Sequence, residues 1–122
     1  MTRPYNLKTR IVGQLRRLFL WHPGLKEVRD RTRVERGVYV CEECFGHFRA
    51  KEMRCDHGEP VVDPRAGFKD WNTYISRMFD AIPNGIQHLC LSCHARKTEL
   101  ERLERLEGRR IARALAKMGE AS

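Results

Sequence analysis

The chain has 122 residues, the length of one small domain, and a formal net charge of +8. It contains no run of about 20 apolar residues and no N-terminal apolar stretch with a small-residue cleavage site, so we expect neither a membrane span nor a secretory signal. The five cysteines are therefore expected in a reducing cytoplasm, where paired cysteines indicate a metal more often than a disulfide.

Basic residues are concentrated in the two end segments of the chain. Residues 1–40 carry ten Lys/Arg against three Asp/Glu, residues 95–122 carry eight against five, and residues 41–94 carry six against eight. Such charge indicates either a solvated surface or an anionic partner. Because the basic segments flank a centre rich in cysteine and histidine, the pattern favours nucleic acid.

Two helices and a strand are predicted before the first cysteine. Residues 7–21 place five apolar side chains at helical spacing, and Pro23 and Gly24 end the pattern. The five are Leu7, Ile11, Leu15, Leu18 and Phe19. The basic stretch 26–37 indicates a short helix followed by a turn, and residues 38–40 indicate a short strand.

The middle of the chain is predicted to hold two short strands and a helix. The strands lie between Phe48 and Val62, with Cys55 and Asp56 near the end of the first. Residues 67–80 predict a helix capped by Asp70. Its apolar face, which we expect in the core, comprises Trp71, Tyr74, Ile75, Met78 and Phe79.

From about Leu91 onward the chain is predicted to be helical. Apolar residues recur every three or four positions between Glu and Arg, and Gly108 is expected to break or bend the helix. The pattern is typical of a surface helix stabilised by i,i+4 ion pairs. A dimerising helix is the alternative, which the sequence does not favour.

Four cysteines form two CxxC pairs, Cys41 with Cys44 and Cys90 with Cys93, separated by 45 residues. Four thiolates fill the tetrahedral coordination sphere of Zn²⁺ and leave no open position, so we predict a structural zinc site. A redox pair of the thioredoxin type is the alternative, but it needs only one CxxC. The fifth cysteine, Cys55, is expected to be a small buried apolar residue.

His94 directly follows Cys93 and indicates a second site. One residue along a helix corresponds to a rotation of about 100°, so His94 is expected to point away from the zinc. Asp56 and His57, near a strand end, are candidate partners. A carboxylate and an imidazole can bind a divalent cation with open positions, and a further imidazole can activate water.

Four stretches in one order carry a family resemblance: CEEC, CDHGEPVV, GFKDWNTYISRMF and IQHLCLSCHARKT. From about Gly37 to Thr98 the chain resembles the HNH endonucleases, the ββα-metal class, and specifically their small phage-type members. The resemblance implies an α+β fold, in which a ββα-metal core with a four-cysteine structural zinc is flanked by an N-terminal and a C-terminal helix. It divides a single folding unit into a basic N-terminal helical arm (1–36), a nuclease core (37–98) and a charged C-terminal helix (99–122).

The resemblance also implies roles for individual residues. His57 would be the general base, and Asp56 and His94 would hold Mg²⁺, Mn²⁺ or another divalent ion. The substrate would be double-stranded DNA, cleaved to a 5′-phosphate and a 3′-hydroxyl. The implied location is the cytoplasm, that of the host cell if the protein is phage-encoded. A larger phage DNA-processing protein is a further candidate partner.

One position departs from the family pattern, because Gly85 stands where the family has its middle asparagine. The glycine carbonyl would still orient His57, and Asn84 would either tether the loop or be part of a simple turn. A large gain in cleavage for Gly85→Asn would show that the glycine weakens the site. Arg96, Lys97 and Arg65 are candidates for contacts with the DNA backbone, with a solvated surface as the alternative.

Two other functions use the same residues. A non-catalytic zinc-ribbon DNA-binding protein would need the four cysteines and the positive charge, while the acid and the histidines would be incidental. A zinc module for protein interaction would use the charge for solubility alone. Cleavage that depends on added divalent metal separates the nuclease from both.

Overall fold

The protein is described by a computed structural model that covers residues 4–120. The fold is α+β, with four α-helices and five short strands in the described part of the chain. In chain order they are α1 (Leu7–Leu20), α2 (Leu25–Thr32), β1 (Arg33–Glu35), β2 (Val38–Val40), β3 (His47–Arg49), β4 (Met53–His57), α3 (Trp71–Phe79), β5 (Ile86–Cys90) and α4 (Leu91–Glu120). None of the helices in residues 4–120 combines the length and the apolar character that a membrane span requires.

The strands form two separate antiparallel sheets. One contains β1, β2 and β3 in that order, and the other is a hairpin of β4 and β5. In the hairpin Met53 lies opposite Cys90 and His57 lies opposite Ile86. The prediction of two neighbouring strands between Phe48 and Val62 is therefore only partly right. Cys55 and Asp56 belong to β4, whose partner comes almost thirty residues later in the chain.

The helix predicted for residues 67–80 is α3. The Asp70 carboxylate accepts a hydrogen bond from the Thr73 backbone N–H at 2.7 Å, which is the predicted N-cap. Tyr74 and Met78 are buried, whereas Ile75 is 42% exposed and does not belong to the core face.

The N-terminal helices are part of the core and not a detached arm. Phe19 on α1, together with Leu25 and Val28 on α2, is buried in one cluster with Tyr74 and Met78 of α3. Two of the apolar residues at helical spacing on α1, Leu7 and Leu18, are exposed. Residues 7–32 are thus integrated with the rest of the fold.

The C-terminal helix α4 is continuous for 30 residues, so the expected break at Gly108 is wrong. A Cβ atom at Gly108 would lie 3.0 Å from the Cα atom and 3.2 Å from the carbonyl oxygen of Arg65. The glycine therefore allows the loop that contains Arg65 to approach the helix closely. It serves packing, not helix termination.

Candidate functional site

The four predicted cysteines come together in space. Cys41 follows β2, Cys44 lies in the next turn, Cys90 ends β5 and Cys93 is in the first turn of α4. Their sulfur atoms all lie within 4.8 Å of one another, and the Cys44 and Cys90 sulfurs are 3.9 Å apart. Zn–S bonds of about 2.3 Å in a tetrahedron hold sulfur atoms about 3.8 Å apart. The cluster could therefore hold a structural metal such as zinc.

The backbone around Cys41 shapes this cluster. The Phe45 N–H donates to the Cys41 carbonyl, and the Cys41 N–H donates to the Gly46 carbonyl, both at 2.9 Å. Phe45 adopts a left-handed conformation, with φ of 61°, that closes the turn. The Cys90 N–H points at the Cys41 sulfur at 3.4 Å, an arrangement that stabilises a thiolate.

The thiols of the cluster cannot all ionise without a cation. Burial of Cys41 disfavours its thiolate, but backbone hydrogen bonds from Cys44, Cys90 and Glu43 outweigh burial and lower its pKa to about 6. Burial, followed by hydrogen bonds with the other three thiols, raises the pKa of Cys93 to about 12. A bound dication would favour the thiolate form of all four cysteines, so metal binding would release protons from the thiols.

Cys55 lies outside the cluster. It packs against the core formed by α1, α2 and α3, and burial raises its pKa. Its thiol therefore stays protonated, but the side chain is only half-buried, whereas a buried residue was expected.

A second group of polar residues lines a cleft of about 520 Å³ beside the hairpin. Asp56 and His57 are the last two residues of β4, and His94 is in the first turn of α4. Because α4 runs back across the hairpin, the His94 Nε2 atom lies 3.9 Å from the Asp56 Oδ2 atom. The structure thus brings the three residues of the predicted second site into one cleft.

Both oxygens of the Asp56 carboxylate are engaged. Oδ1 accepts a hydrogen bond from the His57 backbone N–H at 2.9 Å, and Oδ2 is the atom nearest to His94. The Asp56 side chain is 24% exposed and that of His94 37% exposed, so both can be reached from solvent.

His57 is buried and its ring is fixed on two sides. Its Nε2 atom lies 2.7 Å from the Met78 carbonyl oxygen, and its ring centroid lies 4.4 Å from that of Phe19. A carbonyl oxygen only accepts, so Nε2 must carry the hydrogen and the Nδ1 atom of the neutral ring has a free lone pair. The carbonyl that orients His57 is thus that of Met78. The expectation for Gly85 is wrong, because its carbonyl accepts from the Gly58 N–H at 2.8 Å.

Lys97 occupies a place in the cleft that the sequence did not indicate. Its Nζ atom lies 3.0 Å from the Asp56 Oδ2 atom and 2.5 Å from the Glu101 Oε1 atom, and its side chain is only 21% exposed. Burial lowers its pKa, but hydrogen bonds with Glu101 and Asp56 outweigh burial and raise it. The ammonium group therefore stays charged between two carboxylates. The sequence analysis did not single out Glu101. It follows Lys97 by four residues and His94 by seven, so it lies on the same face of the helix as both.

The remaining predicted residues lie around these two sites. Arg96 donates to the Cys93 sulfur at 3.3 Å, so it belongs to the surroundings of the cysteine cluster. Arg65 is exposed in the loop that meets α4 at Gly108, and Asn84 is exposed in the turn before β5. The DNA contacts of Arg96, Lys97 and Arg65 and the tether at Asn84 stay predictions.

Comparison of the chain with protein-family models, curated proteins and solved structures gives no match. The function must therefore be argued from the chemistry of the two sites. The cysteine cluster could hold a structural metal, and the cleft brings together Asp56, His57 and His94.

Metal content tests the cysteine cluster. We expect the purified protein to hold about one zinc per chain, and Cys44→Ser to lose both the metal and the fold. Structural zinc contributes roughly 10–16 kcal/mol of binding free energy, comparable to or larger than the total stability of a domain. Elemental analysis and thermal unfolding with and without EDTA measure both effects. Cys55→Ser is the matched control, which should keep its zinc, and a folded metal-free disulfide form would contradict the assignment.

The space around Gly85 predicts the effect of the asparagine that the family pattern has there. A Cβ atom would lie 2.9 Å from the Ala81 Cβ atom and 3.1 Å from the Ala81 carbonyl oxygen. We therefore expect Gly85→Asn to destabilise the fold by about 1–3 kcal/mol and to bring no gain in cleavage. Chemical denaturation measures this change. Gly13→Asn is the control, because nothing lies within 4 Å of that Cβ position; equal stability of the two variants would contradict the argument.

Proposed function

We propose that the protein is a metal-dependent DNA endonuclease of the HNH type. In this proposal β4, β5 and α4 form the ββα-metal core. The observation that carries it is the convergence of Asp56, His57 and His94 in one cleft. A hairpin followed directly by a helix is also the element order that the family resemblance implies.

Asp56 and His94 are the residues that would hold a divalent ion in the cleft. With metal–ligand bonds of about 2.1 Å, neighbouring ligand atoms lie about 3.0–3.4 Å apart, and Oδ2 and Nε2 are 3.9 Å apart, so the two side chains would close by about 0.5–1 Å around the ion. Two protein ligands leave further positions for water and a phosphate oxygen. When bound, such an ion supplies charge stabilisation at the scissile phosphate and the leaving oxygen.

His57 is the proposed general base. Its Nε2–H donates to the Met78 carbonyl, which fixes the tautomer and leaves Nδ1 to accept the proton of the attacking water. The Phe19 ring beside it restricts rotation of the imidazole. A neutral, oriented imidazole is suited to proton abstraction near neutral pH.

The cysteine cluster has a positioning role in this proposal. Cys90 and Cys93 join the end of β5 to the first turn of α4, and His94 is the next residue. A metal on the four thiolates would therefore hold His94 at a constant distance from Asp56 on β4. Such indirect support of a site by surrounding groups is common in metalloenzymes.

The surface charge suits a polyanionic substrate. Arg16 of α1 and Arg105 of α4 line the same cleft as His94. The helix α1 carries four basic residues, Lys8, Arg10, Arg16 and Arg17, and no acidic one. Phosphate contacts of this kind are independent of sequence and weaken steeply with salt. We therefore expect low sequence specificity.

A second candidate function is a non-catalytic zinc-ribbon DNA-binding protein. The observation that favours it is the ion pair of Lys97 with Asp56, because the ammonium group lies at the oxygen that the catalytic ion would need. In that function the same pair would be purely structural, and the basic residues would bind DNA without cleavage.

Nicking of supercoiled plasmid separates the two functions. We expect wild type to cut with Mg²⁺ or Mn²⁺ and not with EDTA. His57→Ala should lower the rate by roughly 10²–10⁴-fold, the usual contribution of a general base. His94→Ala should lose metal-dependent cutting, because it removes a ligand of the proposed ion. His47→Ala is the matched control, since His47 is exposed on β3 and outside the cleft. A wild-type protein that binds DNA but cuts it with no metal would favour the zinc-ribbon function.

Removal of the Lys97 charge tests the ion site without DNA. Lys97→Met should raise the affinity for Mn²⁺ by about tenfold or more, because it removes a positive charge at the metal ligand and leaves Glu101 unpaired. Calorimetric titration of the zinc-loaded protein measures this affinity. Lys97→Arg, which keeps the charge, and Lys69→Met, at an exposed position, should behave as wild type. Equal Mn²⁺ affinity of Lys97→Met and wild type would argue against an ion at Asp56.

A further inference from the structure

The second half of α4 exposes a row of apolar side chains. Every residue from 109 to 119 is exposed. Six large apolar residues between positions 100 and 118 have exposures between 42 and 69%, and all except Leu106 lie, at about 100° per residue, within roughly one third of the helix circumference. We call these five the α4 stripe: Leu100, Leu103, Ile111, Leu115 and Met118. A surface helix stabilised by ion pairs alone does not account for this row.

The α4 stripe is self-complementary when the helix is reversed. If a second α4 lies antiparallel with position 109 at the centre, Leu100 faces Met118, and Leu103 and Leu115 lie at one level on the two edges of the contact. Ile111 then faces the aliphatic part of Glu107. A two-fold interface requires such a match, because each surface must fit a copy of itself.

The charges along α4 favour the same direction. Positions 99–107 hold four glutamates and two arginines, whereas positions 109–117 hold four basic residues and no acid. In an antiparallel pair the acidic half of each helix faces the basic half of the other, and Glu99 lies close to Lys117 on one side of the α4 stripe. A parallel pair would place like charges together.

We infer that a second copy of this chain docks on the α4 stripe, so that two α4 helices pack antiparallel about a two-fold axis near position 109. The shared segment of 19 residues is about 28 Å long. It also explains how residues 109–119 stay helical although they are exposed in the single chain, since a short helix without packing is marginal in water. The inference is independent of the proposed nuclease function.

Mass measurement in solution tests the dimer. Light scattering and sedimentation should give twice the 14.4 kDa of one chain, with concentration-dependent dissociation. Leu115→Glu should weaken dimerisation on the order of a hundredfold, because the interface holds each substituted residue twice. Glutamate keeps the helix propensity, which circular dichroism verifies. Leu18→Glu, at an exposed leucine of α1, is the matched control and should remain dimeric.

A charge-swap experiment tests the antiparallel direction. Glu99→Lys and Lys117→Glu should each dimerise more weakly than wild type, since every self-pair then brings like charges together. An equimolar mixture should form a heterodimer, because each variant supplies the charge that the other lacks. A monomeric wild type at every concentration up to the limit of solubility would overturn the inference, and so would a dimer unaffected by Leu115→Glu. Failure of the mixture to associate better than either variant would overturn the antiparallel arrangement.

Discussion

The convergence of four cysteine sulfur atoms at one place is the constraint on which the rest of this structure depends. One of the two buried clusters contains Cys41, Cys90 and Cys93 together with only two larger buried apolar side chains, Met53 and Leu89. A core of that size supplies little hydrophobic free energy, and small domains commonly compensate with a metal. Backbone hydrogen bonds outweigh burial and lower the pKa of Cys41, whereas burial raises that of Cys93, and a bound dication would favour the thiolate form of both. The cysteine cluster and this part of the core therefore consist of the same residues.

The position of the cleft depends on the same cysteine cluster, which connects β5 to α4. Cys90 ends β5 and pairs with Met53 at the start of β4, whereas Asp56 and His57 lie at the other end of β4. The helix α4 begins at the sulfur cluster and runs back across the hairpin, so that His94 and then Lys97 reach Asp56. If a metal binds the four cysteines, its loss would loosen the connection between β5 and α4 before it altered any residue of the cleft. Stability of the cysteine cluster and geometry of the cleft are thus coupled.

Features that depend on neighbouring residues could be predicted from the sequence, whereas contacts between distant segments could not. The CxxC pairs, the Asp70 cap and the long final helix depend on short-range patterns, and all are found. The strand β5 was missed because it is buried on both faces, so it shows no alternation. Gly85 and Gly108 were misjudged because their role is close contact with Ala81 and Arg65, which only the tertiary structure reveals. The pairing of Lys97 with Asp56 depends likewise on the register of the hairpin.

The ion pair of Lys97 with Asp56 explains how so small a protein keeps charged side chains in its cleft. A half-buried carboxylate such as Asp56 is costly unless it is compensated, and Lys97 together with the His57 backbone N–H supplies the compensation. Glu101 contacts the same ammonium group, so Lys97 could release Asp56 to an incoming cation without losing its own partner. Asp56, Glu101 and Lys97 together carry a formal charge of −1, which favours the approach of a cation to Asp56. In the proposed function, this arrangement would keep the cleft stable before a divalent ion binds and would leave Asp56 and His94 to hold that ion.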